Sequence, residues 1–275
     1  LSTKASPVVV SNTNAITTLR MNDPKRLNAW TYDMMQTLFT EMQTAASDAN
    51  VKAVIITGTD PYYCAGVNLS SLMKPMHPRQ LFDLIVTQNE RVFNQFIDFP
   101  KPLFVAANGP AIGASVTTAT LCDGIIAAKK ATFSTPFAKL GITPEGCSSI
   151  HFERIMGKDN ATKMLDDGWT PTAEEAKKAG FVDVVVEDDE VAAAAQQYAE
   201  AWVEEGKPRR YAGTDEARKE LREVNARESV ELATAFMGEK FIANQRDFLQ
   251  SRGKTQMALA FSALLATRPM WIRML

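Results

Sequence analysis

Short apolar runs set between stretches of helical spacing confine this chain to an α/β architecture. Residues 51–57, 103–107, 124–128 and 182–186 are too short for apolar helices and nearly free of charge, as strands buried on both faces are. Between them, residues 31–49, 80–99, 115–121, 147–156 and 161–166 repeat apolar positions at the helical period. Residues 8–10 and 15–19 read as extended, and residues 132–136 as a short extended piece. Such alternation implies a parallel sheet with crossover helices. After residue 186 the composition turns to alanine, glutamate, lysine and arginine, and a nearly continuous helical run covers residues 190–266. The expected organisation is a β/α core over 1–188 and a helical C-terminal region over 189–275. The charges between Thr214 and Glu231 read most simply as solvated helix faces.

A net charge of −2 offers no attraction for a polyanion, so nucleic acid is not an expected partner. Three cysteines, Cys64, Cys122 and Cys147, are an odd number without metal-site spacing, which points to a reducing compartment rather than a disulfide framework. His77 and His151 stand alone, so no zinc site is expected. No apolar run approaches the roughly 20 residues of a membrane span, and no signal peptide is read at the amino end. The chain starts at Leu1 rather than methionine, so a processed or trimmed segment is an open reading.

Three segments are not explained by core packing. Tyr63-Cys-Ala-Gly-Val-Asn-Leu69 follows a strand with small residues, and Gly66 lets backbone approach a ligand closely. Asn108-Gly-Pro-Ala-Ile-Gly-Ala-Ser115 is an irregular turn that ends at a helix start. If both turns face one pocket, their free amides can hold an oxyanion. On spacing alone, two ordinary glycine turns explain them as well. Lys139-Leu-Gly-Ile-Thr-Pro-Glu-Gly-Cys147 places Glu145 in an apolar stretch, where desolvation raises a carboxyl pKa toward values useful for proton transfer. A helix cap or first-turn residue is the simpler reading of that glutamate.

In this order the three segments resemble the crotonase (enoyl-CoA hydratase/isomerase) superfamily, over about Val8 to Val186. Pro24-Lys-Arg-Leu-Asn-Ala29, Cys122-Asp123 and Thr170-Pro-Thr-Ala-Glu-Glu-Ala-Lys-Lys-Ala-Gly-Phe-Val-Asp183 add to the likeness. The strings Asn108-Gly-Pro-Ala-Ile-Gly113 and Pro136-Phe-Ala-Lys-Leu-Gly-Ile-Thr-Pro-Glu-Gly146 are similar to the peroxisomal-type Δ3,Δ2-enoyl-CoA isomerases. The resemblance implies an α/β spiral of ββα units followed by C-terminal helices that cover the site and join subunits into trimers or hexamers.

It also implies site residues. The oxyanion donors fall on the amides of Val67 and Ala114, with Gly66 and Gly113 giving access, and Ala65, Asn68 and Leu69 beside them. The two glutamates of the family's hydratases fall on Thr117 and Phe137, which argues against hydration, whereas the isomerase base falls on Glu145. Lys25, Arg26 and Ala29 fall where coenzyme A is held; solvent-facing charge after the Asp23-Pro24 turn explains the two basic residues equally well. Val67 is bulkier than the alanine common in relatives, and Asn68 stands where many carry aspartate.

The expected ligand is therefore an acyl-CoA thioester with no separate cofactor, and the expected reaction an isomerisation within fatty acid β-oxidation. A hydratase or specialised-metabolism enzyme of the same superfamily, and a non-catalytic acyl-CoA or RNA-binding member, are the alternatives. Residence in the peroxisome follows from likeness alone, because Arg273-Met-Leu275 is not a convincing targeting signal; mitochondrion and cytosol are the other options. The apolar helix over residues 256–266 and the exposed-looking Met270, Trp271 and Leu275 suit a subunit interface.

Overall fold

The computed structural model describes residues 6–68 and 76–275. Its main sheet has six strands in the order β1 (Val8–Thr13), β2 (Ile16–Met21), β3 (Ala53–Gly58), β4 (Leu103–Ala107), β6 (Gly124–Ala128) and β8 (Val184–Val186). Four of its five pairings are parallel, as expected. The first is not: β1 and β2 form an antiparallel hairpin. Only Asn14 and Ala15 join them, both at positive φ (47° and 62°), a two-residue turn that reverses the chain and leaves no length for a crossover.

The sheet is buried on both faces, which is why its central strands are unbroken apolar runs. Val54, Ile56, Leu103, Val105 and Ala107 face the large core beneath α1 (Tyr32–Ser47) and α2 (Pro78–Ile97). Ala53, Ile55, Phe104 and Ala106 face the opposite way, under Ala195, Ala199 and Trp202 of α8 (Val191–Glu204). Phe104 meets Tyr198 and Trp202 edge to face, with ring centroids 5.7 Å apart in both cases.

A smaller second layer pairs β5 (Ala111–Ile112) with β7 (Phe133–Ser134) in parallel, and Cys64 bridges to Ala111 beside them. Each of these short pieces follows a main-sheet strand and precedes a helix: α2, α3 (Ala114–Thr120) or α4 (Phe137–Leu140). The remaining core helices are α5 (Ser148–Met156), α6 (Lys158–Leu165) and α7 (Ala173–Lys178). A capping box of Thr172 and Glu175 starts α7, a helix the apolar periodicity does not reveal because it is only six residues long.

The nearly all-helical run expected over residues 190–266 is made of four helices: α8, α9 (Asp215–Phe236), α10 (Glu239–Ser251) and α11 (Thr255–Trp271). Pro208 and the glycines at 206, 213, 238 and 253 lie between them, where helices terminate. Trp271 is half-buried rather than exposed; it packs against the clusters that contain Phe241 and Ile85 and donates to the Leu264 carbonyl at 3.0 Å. Met270 and Leu275 are exposed. No helix among the described residues is long and apolar enough to cross a membrane. The three cysteines are buried and unpaired.

The break after α8 sends Arg209 into the core. Its guanidinium donates to the carbonyls of Phe96, Phe99 and Leu121 at 3.2, 2.6 and 2.8 Å, and Nε lies 2.6 Å from Asp123 Oδ2 in an ionic contact off the N–H axis. Asp123 also accepts the Leu103 and Arg210 amides at 2.8 and 2.6 Å. The end of α2, the start of β4 and the end of α3 thus converge on one buried pair. Replacing Arg209 by methionine leaves the Asp123 charge uncompensated and is expected to cost about 3–5 kcal/mol in urea unfolding. Arg222→Met, which breaks the exposed contact with Asp98, is expected to cost under about 1 kcal/mol, and equal losses for the two would contradict this account.

Candidate active site

Two buried asparagines shape the first glycine turn. Asn28, at φ 53°, donates to the Thr59 and Tyr62 carbonyls, both at 2.7 Å. Asn108 donates to the Tyr62 carbonyl at 3.3 Å and accepts the Gly58 amide at 2.9 Å. From there the chain runs beside residues 27–30: Ala65 N–H donates to Leu27 O, Trp30 N–H to Gly66 O and Asn68 N–H to Trp30 O, at 3.0, 2.9 and 3.1 Å. Gly66 has φ 87°, and a Cβ there would lie 2.7 Å from the Ile112 carbonyl oxygen, so only glycine lets the two turns approach this closely.

The second turn is joined to the first by backbone. Ile112 N–H donates to Cys64 O at 3.0 Å and Cys64 N–H to Pro110 O at 3.3 Å. The Ser115 hydroxyl is 3.3 Å from the same Cys64 carbonyl. Val67 and Ala114 each lie three residues beyond the bridged pair Cys64 and Ala111, one on each strand of the junction. Their neighbours are engaged: Gly66 N–H points to Cys64 Sγ at 3.3 Å, and Gly113 N–H donates to Ser134 O at 2.8 Å. Among the described residues neither the Val67 nor the Ala114 amide has an acceptor. Ala114 opens α3, where the first amides have no intrahelical partner. Two unpaired donors on paired turns suit an oxygen on which negative charge develops.

The chain after Ser134 supplies the third part. Phe137, the first residue of α4, is fully buried, and the loop beyond it carries Glu145 with only 9% of its surface exposed. Gly146 and Cys147 both have φ 66°, and a Cβ on Gly146 would lie 2.2 Å from the Phe93 ring of α2. The turn is therefore pressed against α2 with no room to spread. Burial, first, and the neighbouring Glu228 carboxylate, second, push the Glu145 pKa up to about 8. Asn244 of α10 holds this region from outside, donating to Lys139 O at 2.9 Å.

Thr117 is fully buried, and its hydroxyl donates to Ala114 O at 3.2 Å. Lys25 and Arg26 are exposed on a 3₁₀ turn over Pro24–Arg26, with Arg26 3.1 Å from Asp23. Ala29 is half-buried between that turn and Trp30. Leu69 lies outside the described residues. Thus the structure joins Ala65, Gly66, Val67 and Asn68 to Gly113 and Ala114 through one backbone junction. The basic pair is connected to that junction through Leu27.

Glu228 corrects the reading of residues 214–231 as solvated faces. Its neighbours Glu223, Arg227 and Glu231 are in solvent, but Glu228 itself is fully buried. A signal for it existed: Leu221, Val224, Asn225, Glu228, Ser229 and Leu232 recur at helical spacing, so a charged residue stands within a buried stripe. The groove between α10 and α11, lined by Glu239, Lys240, Ala243 and Pro269, contains none of these site residues.

An isolated glutamate titrates near 4.5, whereas the folded chain keeps the Glu145 proton to about 8. Between these values the folded state binds more protons than the unfolded one, so stability falls as pH rises. The stabilising contribution is complete below about 4.5, is lost through about 8, and amounts to roughly 3–5 kcal/mol. Urea unfolding across this range should show the decline in the wild type and a flatter profile in Glu145→Gln. Identical profiles would exclude an uncharged, buried Glu145.

Residues 11–250 match the family described as enoyl-CoA hydratase/isomerase. The chain is 37% identical over 182 residues to mouse "Enoyl-CoA delta isomerase 3, peroxisomal", covering 65% of this chain and 56% of that protein. It is 32% identical over 187 residues to "2,3-dehydroadipyl-CoA hydratase" of Escherichia coli, covering 67% and 71%. The crystal structure of an enoyl-CoA hydratase/isomerase from Pseudoalteromonas atlantica superposes with a TM-score of 0.75 at 25% identity, over 89% of this chain and 97% of that one. The chain spans about half the length of the curated isomerases it matches. The two zipped glycine turns and the helical C-terminal region thus sit on a crotonase fold, and the chain belongs to the enoyl-CoA hydratase/isomerase superfamily.

Proposed function

We propose that this protein is a Δ3,Δ2-enoyl-CoA isomerase acting through an enolate. The observation that carries the reading is that Glu145 is buried with a raised pKa; Thr117 and Phe137, likewise buried and not acidic, stand where the family resemblance puts the two hydratase carboxylates. A double-bond shift needs one group that takes a proton and returns it. Glu145 removes the proton from C2, and the C–H electron pair moves into a dienolate whose charge rests on the thioester oxygen. The amides of Val67 and Ala114 donate to that oxygen, each worth about 3 kcal/mol of barrier. The same carboxyl then delivers the proton to C4, C2 and C3 become double-bonded, and Glu145 is again ionised.

A carboxylate with a pKa of about 8 is a better proton acceptor than an ordinary one, which narrows the gap to the weakly acidic C2–H. Phe137 excludes water from the intermediate. Gly66 and Gly113 leave room for the thioester, and Ala65 and Asn68 line its approach. Lys25, Arg26 and the Ala29 backbone hold the coenzyme's phosphates and adenine. Coenzyme A belongs to the substrate, and the thioester itself is the electron sink, so the scheme uses no further cofactor.

The name of the mouse relative supports a peroxisomal setting, and a 3-enoyl to 2-enoyl shift is a step suited to fatty acid β-oxidation. Exposed Leu259, Leu264 and Met270 on α11 support assembly into trimers or hexamers. Purified protein should generate conjugated thioester absorbance from 3-enoyl-CoA. Glu145→Gln should lower kcat by about 10²–10⁴ while acyl-CoA affinity stays nearly unchanged. Full turnover by that variant, or rapid hydration of 2-enoyl-CoA by the wild type, would overturn the proposal.

A further inference from the structure

The scheme above leaves one buried carboxylate unused. Glu228 of α9 is fully buried, accepting the Cys147 N–H at 2.6 Å and the Ser149 N–H at 2.9 Å. These amides lie just beyond Glu145, whose own carbonyl accepts the amide and hydroxyl of Ser148 at 3.3 and 2.7 Å. Phe93 presses on the turn from the α2 side, and Glu228 closes it from α9.

The Cys147 side chain makes no cap, so Glu228 reaches across from another helix to fill the vacancy. Cys147 N–H donates to one carboxylate oxygen and Ser149 N–H to the other, so a neutral amide at 228 would meet one of these donors with its own N–H2. The carboxylate thus ties the start of α5, just beyond Glu145, to α9, at the cost of burying a second acid beside the first.

We infer that Glu228 is a positioning residue for Glu145, locking the turn that carries it and setting a second carboxyl group beside its own. The inference rests on the proposed role of Glu145. Among the described residues, Arg227 of α9 acts on Glu228, and Arg227 and Arg154 of α5 act on the Cys147 thiol whose amide Glu228 accepts, while burial pushes that thiol up. Burial pushes the Glu228 carboxyl above its ordinary value, and the Ser149 and Cys147 donors and Arg227 offset this only in part. α2 contributes Phe93 together with Asn89 and Asn94, which bond to Ser229 and Asn225 of α9 and carry no charge.

The test reads protonation and turnover separately. Full-length protein labelled at the glutamate carboxyl carbons is titrated by NMR, with Glu145→Gln assigning the Glu145 signal by difference. Glu228→Gln is expected to move the Glu145 midpoint down by about one pH unit, with the same shift in the pH profile of kcat. Glu228→Asp keeps the charge but shortens the reach; it should leave the midpoint in place and lower kcat more than it raises KM. An unmoved midpoint in Glu228→Gln overturns the inference. If that variant does not fold, Glu228→Asp decides: a shifted midpoint with unchanged kcat overturns it. Wild-type turnover of 3-enoyl-CoA tests the isomerase reading by itself, because the midpoint is measurable with or without reaction.

Discussion

The parallel backbone pairing of Cys64 with Ala111 is the contact on which the rest of the site depends. It zips two turns that belong to different strand-helix units, and it brings Val67 and Ala114 to equivalent places past the junction. The pairing demands close approach, and Gly66 provides it by presenting no Cβ to the Ile112 carbonyl. Asn28 and Asn108 then satisfy the carbonyls that the irregular backbone leaves without ladder partners. Once these bonds are made, the two free amides are consequences of geometry rather than of any side chain at 67 or 114.

The acidic part of the site is held by a different logic. Buried carboxylates are costly, and this chain buries Glu145 and Glu228 together. Glu228 is compensated by two amides, whereas Glu145 has burial and a like charge acting on it in the same direction. Burial pushes both carboxyls above their ordinary value, Glu145 to about 8, and among the described residues only Glu228 has amide donors that offset it. The surrounding frame resists relaxation because α2 and α9 grip the turn from two sides, and the Arg209–Asp123 pair anchors the end of α2.

Much of the frame was legible before any coordinates. Residues 103–107 and 124–128 are strands with the bounds that their apolar runs indicate, because burial on both faces permits no alternation to blur them. The hairpin sense of β1 and β2 was missed because polar residues 11–13 hide the extent of the first strand and the two-residue turn carries no glycine. Trp271 reads as exposed because the clusters it packs against, built around Phe241 and Ile85, include residues remote in sequence. Glu228 reads as a surface charge because its neighbours along the chain are surface charges, and only the period of the buried stripe separates it from them.

By itself the amino-acid sequence determined the α/β alternation, the family, the two glycine turns and the candidacy of Glu145, since each is written in local pattern or in a contiguous motif. Tertiary structure alone decided that the turns share one backbone junction, that α9 delivers a second carboxylate behind the first, and that Arg209 leaves the helical region for the core. The physical reason is range. Strand burial, turn conformation and motif identity depend on residues a few positions apart, whereas desolvation, charge coupling and hydrogen-bond satisfaction depend on groups that packing brings together from distant parts of the chain.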